Sequence, residues 1–162
     1  MPGFPPLLGE NADVLILGSM PSQRSLASRQ YYAHPQNSFW WLMSKLCDFD
    51  STLDYRNRAK RLTAAGYAVW DVLYDCERPG SLDSAIHRDG QTPNAFAALL
   101  AEHPEIRLLA FNGAAAEKLF HRHCGELIKR LELSSVRLPS SSPAMAILSK
   151  TQKLEQWRKL LT

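Results

Sequence analysis

Four short apolar runs punctuate the chain, and each is separated from the next by stretches with helical spacing. They are residues 13–18 (DVLILG), 67–73 (YAVWDVL), 106–111 (IRLLAF) and 135–139 (SVRLP). Continuous apolar runs of this length, bounded by Gly, Pro and Asn, are what strands covered on both faces require. Between them, Phe39, Leu42, Met43 and Leu46 mark a helix over 38–47, with Asn37 as its N-cap. Residues 54–65, rich in Arg and Lys, predict a surface helix stopped by Gly66. Thr92 and Pro93 predict the start of a helix running to about residue 103. Residues 114–131 form a long helical segment with a break at Gly125, and Ser149 and Gln152 are spaced as a capping box for a last helix from Lys150. Strands alternating with helices predict an α/β sandwich around a mostly parallel sheet. Ligands of such sheets bind at the carboxyl ends of the strands. That rule brings together the loops Ser19-Met20-Pro21-Ser22, the segment after Leu73, Asn112-Gly113, and residues 139–144.

With 162 residues and 45% hydrophobic side chains, the chain is expected to form a single domain over residues 1–162. Its net charge of +3, from 19 basic and 16 acidic side chains, permits a polyanionic partner without arguing for one. Cys47, Cys76 and Cys124 are far apart and form no CxxC, so a structural zinc site or a four-cysteine cluster lacks ligands. They are expected as free thiols in a reducing compartment. The first residues lack a signal-peptide pattern, and nothing approaches the roughly 18 apolar residues of a membrane span. The expectation is a cytoplasmic protein of bacterial type, associated with the nucleoid, with no membrane partner.

One stretch stands apart. YYAHPQNSFWW, residues 31–41, sets the polar turn His34-Pro35-Gln36-Asn37 between five aromatic rings. Combined with the first strand running into Gly18-Ser19-Met20-Pro21-Ser22, and with the later Leu138-Pro139-Ser140-Ser141-Ser142-Pro143, it resembles the uracil-DNA glycosylase superfamily. The mismatch-specific branch carries a similar AHPxNxFW stretch after its first strand. Uracil-specific branches place Asn or Asp in the first motif, where this chain has Met20, and often His at the head of the second, where it has serines. With Asn kept in the turn, GSMPS looks like the deoxyinosine (hypoxanthine) branch.

The resemblance implies a three-layer α/β/α sandwich with a central four-stranded, mostly parallel sheet. It implies a monofunctional DNA glycosylase, acting without metal or organic cofactor as a monomer on DNA containing a deaminated base. Such an enzyme flips the nucleotide out of the stack, and so needs a ring against the base, hydrogen bonds to its edge and donors for the charge that develops on it. The resemblance makes Asn37 the catalytic amide and Tyr32 the stacking ring. Ser19, Met20 and Asn112 would read the base. Ser140, Ser141 and Ser142 would hold phosphates, with Pro143, Ala144 and Met145 as a wedge and Lys150 as a further phosphate contact. His34 and Asp71 would be supports, and Arg78 a contact from the loop after Leu73.

Each residue also has a plainer role. Asn37 could simply cap its helix, Tyr32 belong to the core, His34 shape the turn, and Asn112-Gly113 be a strand-to-helix turn. Phe39, Trp40 and Trp41 are expected as core anchors of the helix. Two other functions remain open: excision of uracil from a mismatch, and a module that binds damaged DNA without cutting it. A hydrolase of free nucleosides is a third. The chain has no Walker A, GxGxxG or GxSxG motif.

Overall fold

The computed structural model describes residues 5–75 and 91–161. Four strands form the central sheet: β1 (Val14–Gly18), β2 (Tyr67–Asp71), β5 (Leu108–Asn112) and β6 (Ser134–Leu138). Their order is β2-β1-β5-β6, and every pairing is parallel. The expected four-stranded sheet is therefore present, and it is wholly parallel. β1, in the interior of the sheet, and β2, at its edge but bridged by Leu7 to Val69, are both buried along their full length, as strands covered on both faces are.

Seven helices are described. They are α1 (Gln23–Ser28), α2 (Phe39–Cys47), α3 (Tyr55–Ala64), α4 (Phe96–Glu102), α5 (Ala114–Cys124), α6 (Glu126–Arg130) and α7 (Lys150–Trp157), the last continued by a 3-10 turn, Arg158–Leu161. They complete a three-layer arrangement. α2 packs with α3 and α7, joined by the Phe39–Trp157 ring contact at 6.0 Å. α5 covers β1, β5 and β6, and meets α4 where Phe96 and Phe120 lie 5.2 Å apart. The caps follow the sequence. Asp54 accepts the Asn57 N–H at 2.9 Å to start α3, and Ser149 with Gln152 forms the full capping box of α7. The break expected at Gly125 separates α5 from α6.

Two expectations change. Thr92 and Pro93 do not begin a helix. They form a short strand, β4, antiparallel to β3 (Leu73–Asp75), and α4 starts at Phe96. Asn94 decides this: its N–H binds the Val72 carbonyl at 2.9 Å and its side-chain amide the Asp71 carbonyl at 2.7 Å. These tertiary bonds hold the segment extended, and proline is tolerated on such an edge. α1 was not expected at all. Ser22 caps it, accepting the Ser25 N–H at 3.1 Å. Cys76 and the loop carrying Arg78 lie outside the described residues.

Strand register sets the working edge. Gly18 pairs with Asp71, and Asn112 with Leu138, so the ends of all four strands finish level. Gly113 then turns β5 into α5 with φ of 97°, and a Cβ there would sit 3.0 Å from the Ser140 Cβ. Gly113→Ala should therefore lose about 1–3 kcal/mol of stability, read as a lower denaturant midpoint at unchanged slope.

Candidate functional site

The strand ends open into a cleft of about 770 Å³. Its walls come from the GSMPS loop, the aromatic turn, Asp71, Asn112 and residues 140–145. Of the residues picked from sequence, Ser19, Met20, Tyr32, His34, Asn37, Asp71, Asn112, Ser140, Ser141, Ser142, Pro143 and Ala144 all line it. Lys150 does not. Its ammonium lies 4.5 Å from the Trp41 ring, outside the cleft lining.

The aromatic turn is built from both sides. Trp40, on α2, reaches back with its indole N–H to the Tyr31 carbonyl at 2.8 Å, and the Tyr31 hydroxyl donates to the Pro5 carbonyl at 2.9 Å. Tyr31 is buried. Its surroundings and the nearby Asp71 push its hydroxyl pKa far up, so it stays protonated. Tyr32 adopts φ of 55°, and its ring stacks on Phe39 with centroids 4.1 Å apart and planes 23° apart. The next N–H, of Ala33, is held by the Ser25 hydroxyl at 3.0 Å. The His34 carbonyl then accepts the Asn37 N–H at 2.9 Å, closing the turn, and His34 Nδ1 accepts the Gln36 N–H at 3.1 Å. Because Nδ1 accepts, a neutral His34 carries its proton on Nε2. Trp41 is only half-buried, unlike Phe39 and Trp40, and packs against the core from its edge.

Asn37 sits one residue before the expected position relative to its helix. Ser38 occupies the N-cap but makes no side-chain cap bond. Asn37 supplies it instead: its Oδ1 accepts the Phe39 N–H at 3.0 Å. A donor on that side fixes the amide, leaving Nδ2 as the end without a hydrogen-bond partner among the described residues.

The serine loop is fixed by one amide. Asn112 donates from Nδ2 to the Ser141 hydroxyl at 2.9 Å and accepts the Ser141 N–H on Oδ1 at 2.8 Å. The Ser141 carbonyl takes the Ser38 N–H at 2.9 Å, tying the loop to the start of α2. Ser141 is 1% exposed, so these bonds are shielded from water. Across the cleft, a Cβ on Gly18 would meet the Asp71 Oδ1 at 2.5 Å and the Tyr32 hydroxyl at 2.8 Å. Only glycine lets those two groups converge there.

Sequence reasoning missed two contributors. Ser25 lies in an element with no apolar stripe, and no local signal marks it. Lys153 was legible. It falls beside Leu154 and one turn before Trp157, on the buried face of α7. It is 3% exposed, its Nζ donates to the Ser142 carbonyl at 3.1 Å, and burial lowers its pKa. Asp71 is the one carboxylate among the described residues lining the cleft. Burial raises both described thiols, Cys47 to about 11, so neither is a ready nucleophile. Among the described residues no three His, Cys, Asp or Glu side chains gather as a metal site, and no helix is long and apolar enough to cross a membrane.

Comparison with known proteins gives this geometry a context. A family model described as the uracil DNA glycosylase superfamily matches residues 5–161. A curated protein of Methanosarcina acetivorans named hypoxanthine DNA glycosylase is 36% identical over 157 residues, covering 94% of this chain and 93% of its own. One of the same name from Methanosarcina barkeri is 38% identical over 112 residues, covering 68% of this chain and 70% of its own. A solution NMR structure from Methanosarcina acetivorans, described as a uracil DNA glycosylase, superposes with a TM-score of 0.80 at 33% identity, over 99% of this chain and 98% of that one.

The Asn112–Ser141 pair gives a stability test. Asn112→Ala leaves the buried Ser141 N–H without its acceptor, and should cost about 1–3 kcal/mol in denaturant unfolding.

Proposed function

The chain belongs to the uracil DNA glycosylase superfamily, and on that premise we propose that it excises hypoxanthine from deoxyinosine in DNA, leaving an abasic site. The observation that carries this reading is the Asn37 amide. Its oxygen is occupied by the Phe39 N–H, which leaves its NH2 without a partner among the described residues, and Asn37 lines a cleft whose described walls carry rings, hydroxyls and a single carboxylate.

Breaking a glycosidic bond sends the bonding electron pair onto the base while positive charge grows on the sugar. Water then adds to C1′, and the proton it gives up neutralises the departing base. A donor held by protein structure at the base stabilises that leaving charge without reorganising during the step. Asn37 supplies such a donor. Tyr32, supported beneath by Phe39, offers its ring to the flipped base. The Ser19–Met20 segment and Asn112 border the base. Asn112 acts chiefly by setting Ser141 in place, since both ends of its amide are already bonded. Ser140 and Ser142 offer hydroxyls to phosphates, with Pro143 and Ala144 exposed at the rim as a wedge. Asp71 supports Tyr32 over Gly18, and His34 shapes the turn.

The choice of hypoxanthine over uracil draws on the two relatives carrying that name, and on Met20, whose apolar side chain replaces the polar group of uracil-specific first motifs. The enzyme is monofunctional on this reading. No lysine is among the described residues lining the cleft, and Lys153 is turned into the protein against the Ser142 carbonyl. Borohydride should therefore trap no covalent DNA adduct.

The test is strand cleavage after alkali on duplexes with one deoxyinosine or one deoxyuridine opposite each normal base. Cleavage at deoxyinosine is expected. Asn37→Ala should lower it by about a hundredfold to a thousandfold with folding retained. Cleavage confined to deoxyuridine would overturn the base assignment, and no cleavage at either would overturn the enzyme reading.

A further inference from the structure

Beside the cleft lies a second hollow of about 320 Å³, and the aromatic turn is the wall between the two. Tyr32, His34 and Asn37 face both spaces. The far wall is Trp40, Trp41 and Arg58.

Arg58 comes from α3. Its guanidinium rests 4.9 Å from the Trp40 ring centroid and 5.8 Å from that of Tyr55. Its Nε is buried and has no hydrogen-bond partner among the described residues. Among the described residues it makes no ion pair; Asp54, the α3 cap, acts on it only through space. The ammonium groups of Lys45 and Lys150 stand 5.7 Å and 4.5 Å from the Trp41 ring, both on exposed side chains and both outside any ion pair of the described residues. Three cations thus lie against the two indoles that line this small hollow. Placing a half-buried guanidinium without a counter-charge costs solvation, unless an anion arrives to compensate it.

We infer that this hollow is a phosphodiester subsite. It takes one backbone phosphate of the DNA strand that delivers the flipped nucleotide, with Arg58 on the phosphate oxygens and Lys45 and Lys150 on the rim. The inference rests on the glycosylase reading. It gives the strand a grip on the side of the turn opposite the serine loop, so the flipped nucleotide is held from both flanks. Arginine suits the task, since its planar fork matches phosphate and stacks on an aromatic face.

The experiment is equilibrium binding to a deoxyinosine duplex from 50 to 200 mM salt, with wild type, Arg58→Met and Arg58→Lys, thermal melting confirming the fold. Losing one phosphate contact should weaken binding about tenfold at low salt and reduce the slope of log K against log salt by about 0.9. The same loss is expected on an undamaged duplex. Arg58→Lys should keep the slope. A purely structural Arg58, holding Trp40 by its cation–π contact, predicts weaker binding of Arg58→Met with the wild-type slope, and that result overturns the subsite. Should Arg58→Met fail to fold, the exposed pair Lys45→Gln with Lys150→Gln carries the test, and an unchanged slope in it again overturns the subsite. Wild-type excision alongside an unchanged slope defeats the subsite alone. A wild type that neither binds nor cleaves DNA defeats the glycosylase reading and the subsite with it.

Discussion

The backbone of Ser141 joins three parts of the chain that are remote in sequence. Its N–H is held by the end of β5, its carbonyl by the start of α2, and it stands three residues beyond β6. Each bond is formed away from water, where an unmade partner is costly. The geometry of the cleft follows from this one connection. It fixes the serine loop relative to Asn112, and it fixes the loop relative to the Asn37–Ser38 peptide that begins the helix. Moving any of the three would displace the other two. A site that works by holding groups in place, with one carboxylate among the described residues of its lining, depends on that kind of rigidity.

Asn37 shows how one side chain serves both architecture and chemistry. Helix starts leave several N–H groups without partners, and an asparagine oxygen is a common solution. That use consumes one end of the amide and orients the other. The capping bond and the proposed donor role therefore do not compete. The aromatic ring of Trp40 adds a second restraint through the Tyr31 carbonyl, so the turn is closed on both sides of Asn37. This also explains why the turn is set between pairs of rings. Tyr31 and Trp40 clamp it, and Phe39 carries Tyr32.

Much of this was legible in the sequence, for identifiable reasons. Strands buried on both faces must be continuously apolar, so β1, β2 and β5 announced themselves, and the edge strand β6 was marked by Pro139 and the serines that end it. The strand-end rule then brought three of its four loops to the cleft, whereas the segment after Leu73 enters β3 and leaves the described residues. What was not legible depended on tertiary bonds. Thr92-Pro93 has the composition of a helix start, and only the Asn94 bonds to the end of β2 make it a strand. α1 has no apolar stripe and is held by Ser22 and Ser25. The different fates of Lys150 and Lys153 are a matter of helix phase. Lys153 shares its face with Trp157, and that phase sends its ammonium inward to the loop while Lys150 turns out to Trp41.

The fate of the loop carbonyls bears on what the loop can bind. A peptide segment offers acceptors as readily as donors, and acceptors repel phosphate. Here three of the loop's carbonyls are bonded from within. The Pro139 carbonyl takes the Trp157 indole N–H at 2.9 Å, that of Ser141 takes the Ser38 N–H, and that of Ser142 takes the buried Lys153 ammonium. Those three acceptors are thereby turned toward the protein, while Ser140 and Ser142 keep their side chains at the cleft lining. A net charge of +3 is too small to select a binding face by itself. The loop supplies a local preference instead: with these carbonyls bonded inside the protein and its hydroxyls left at the cleft, it presents donors rather than acceptors to a polyanion.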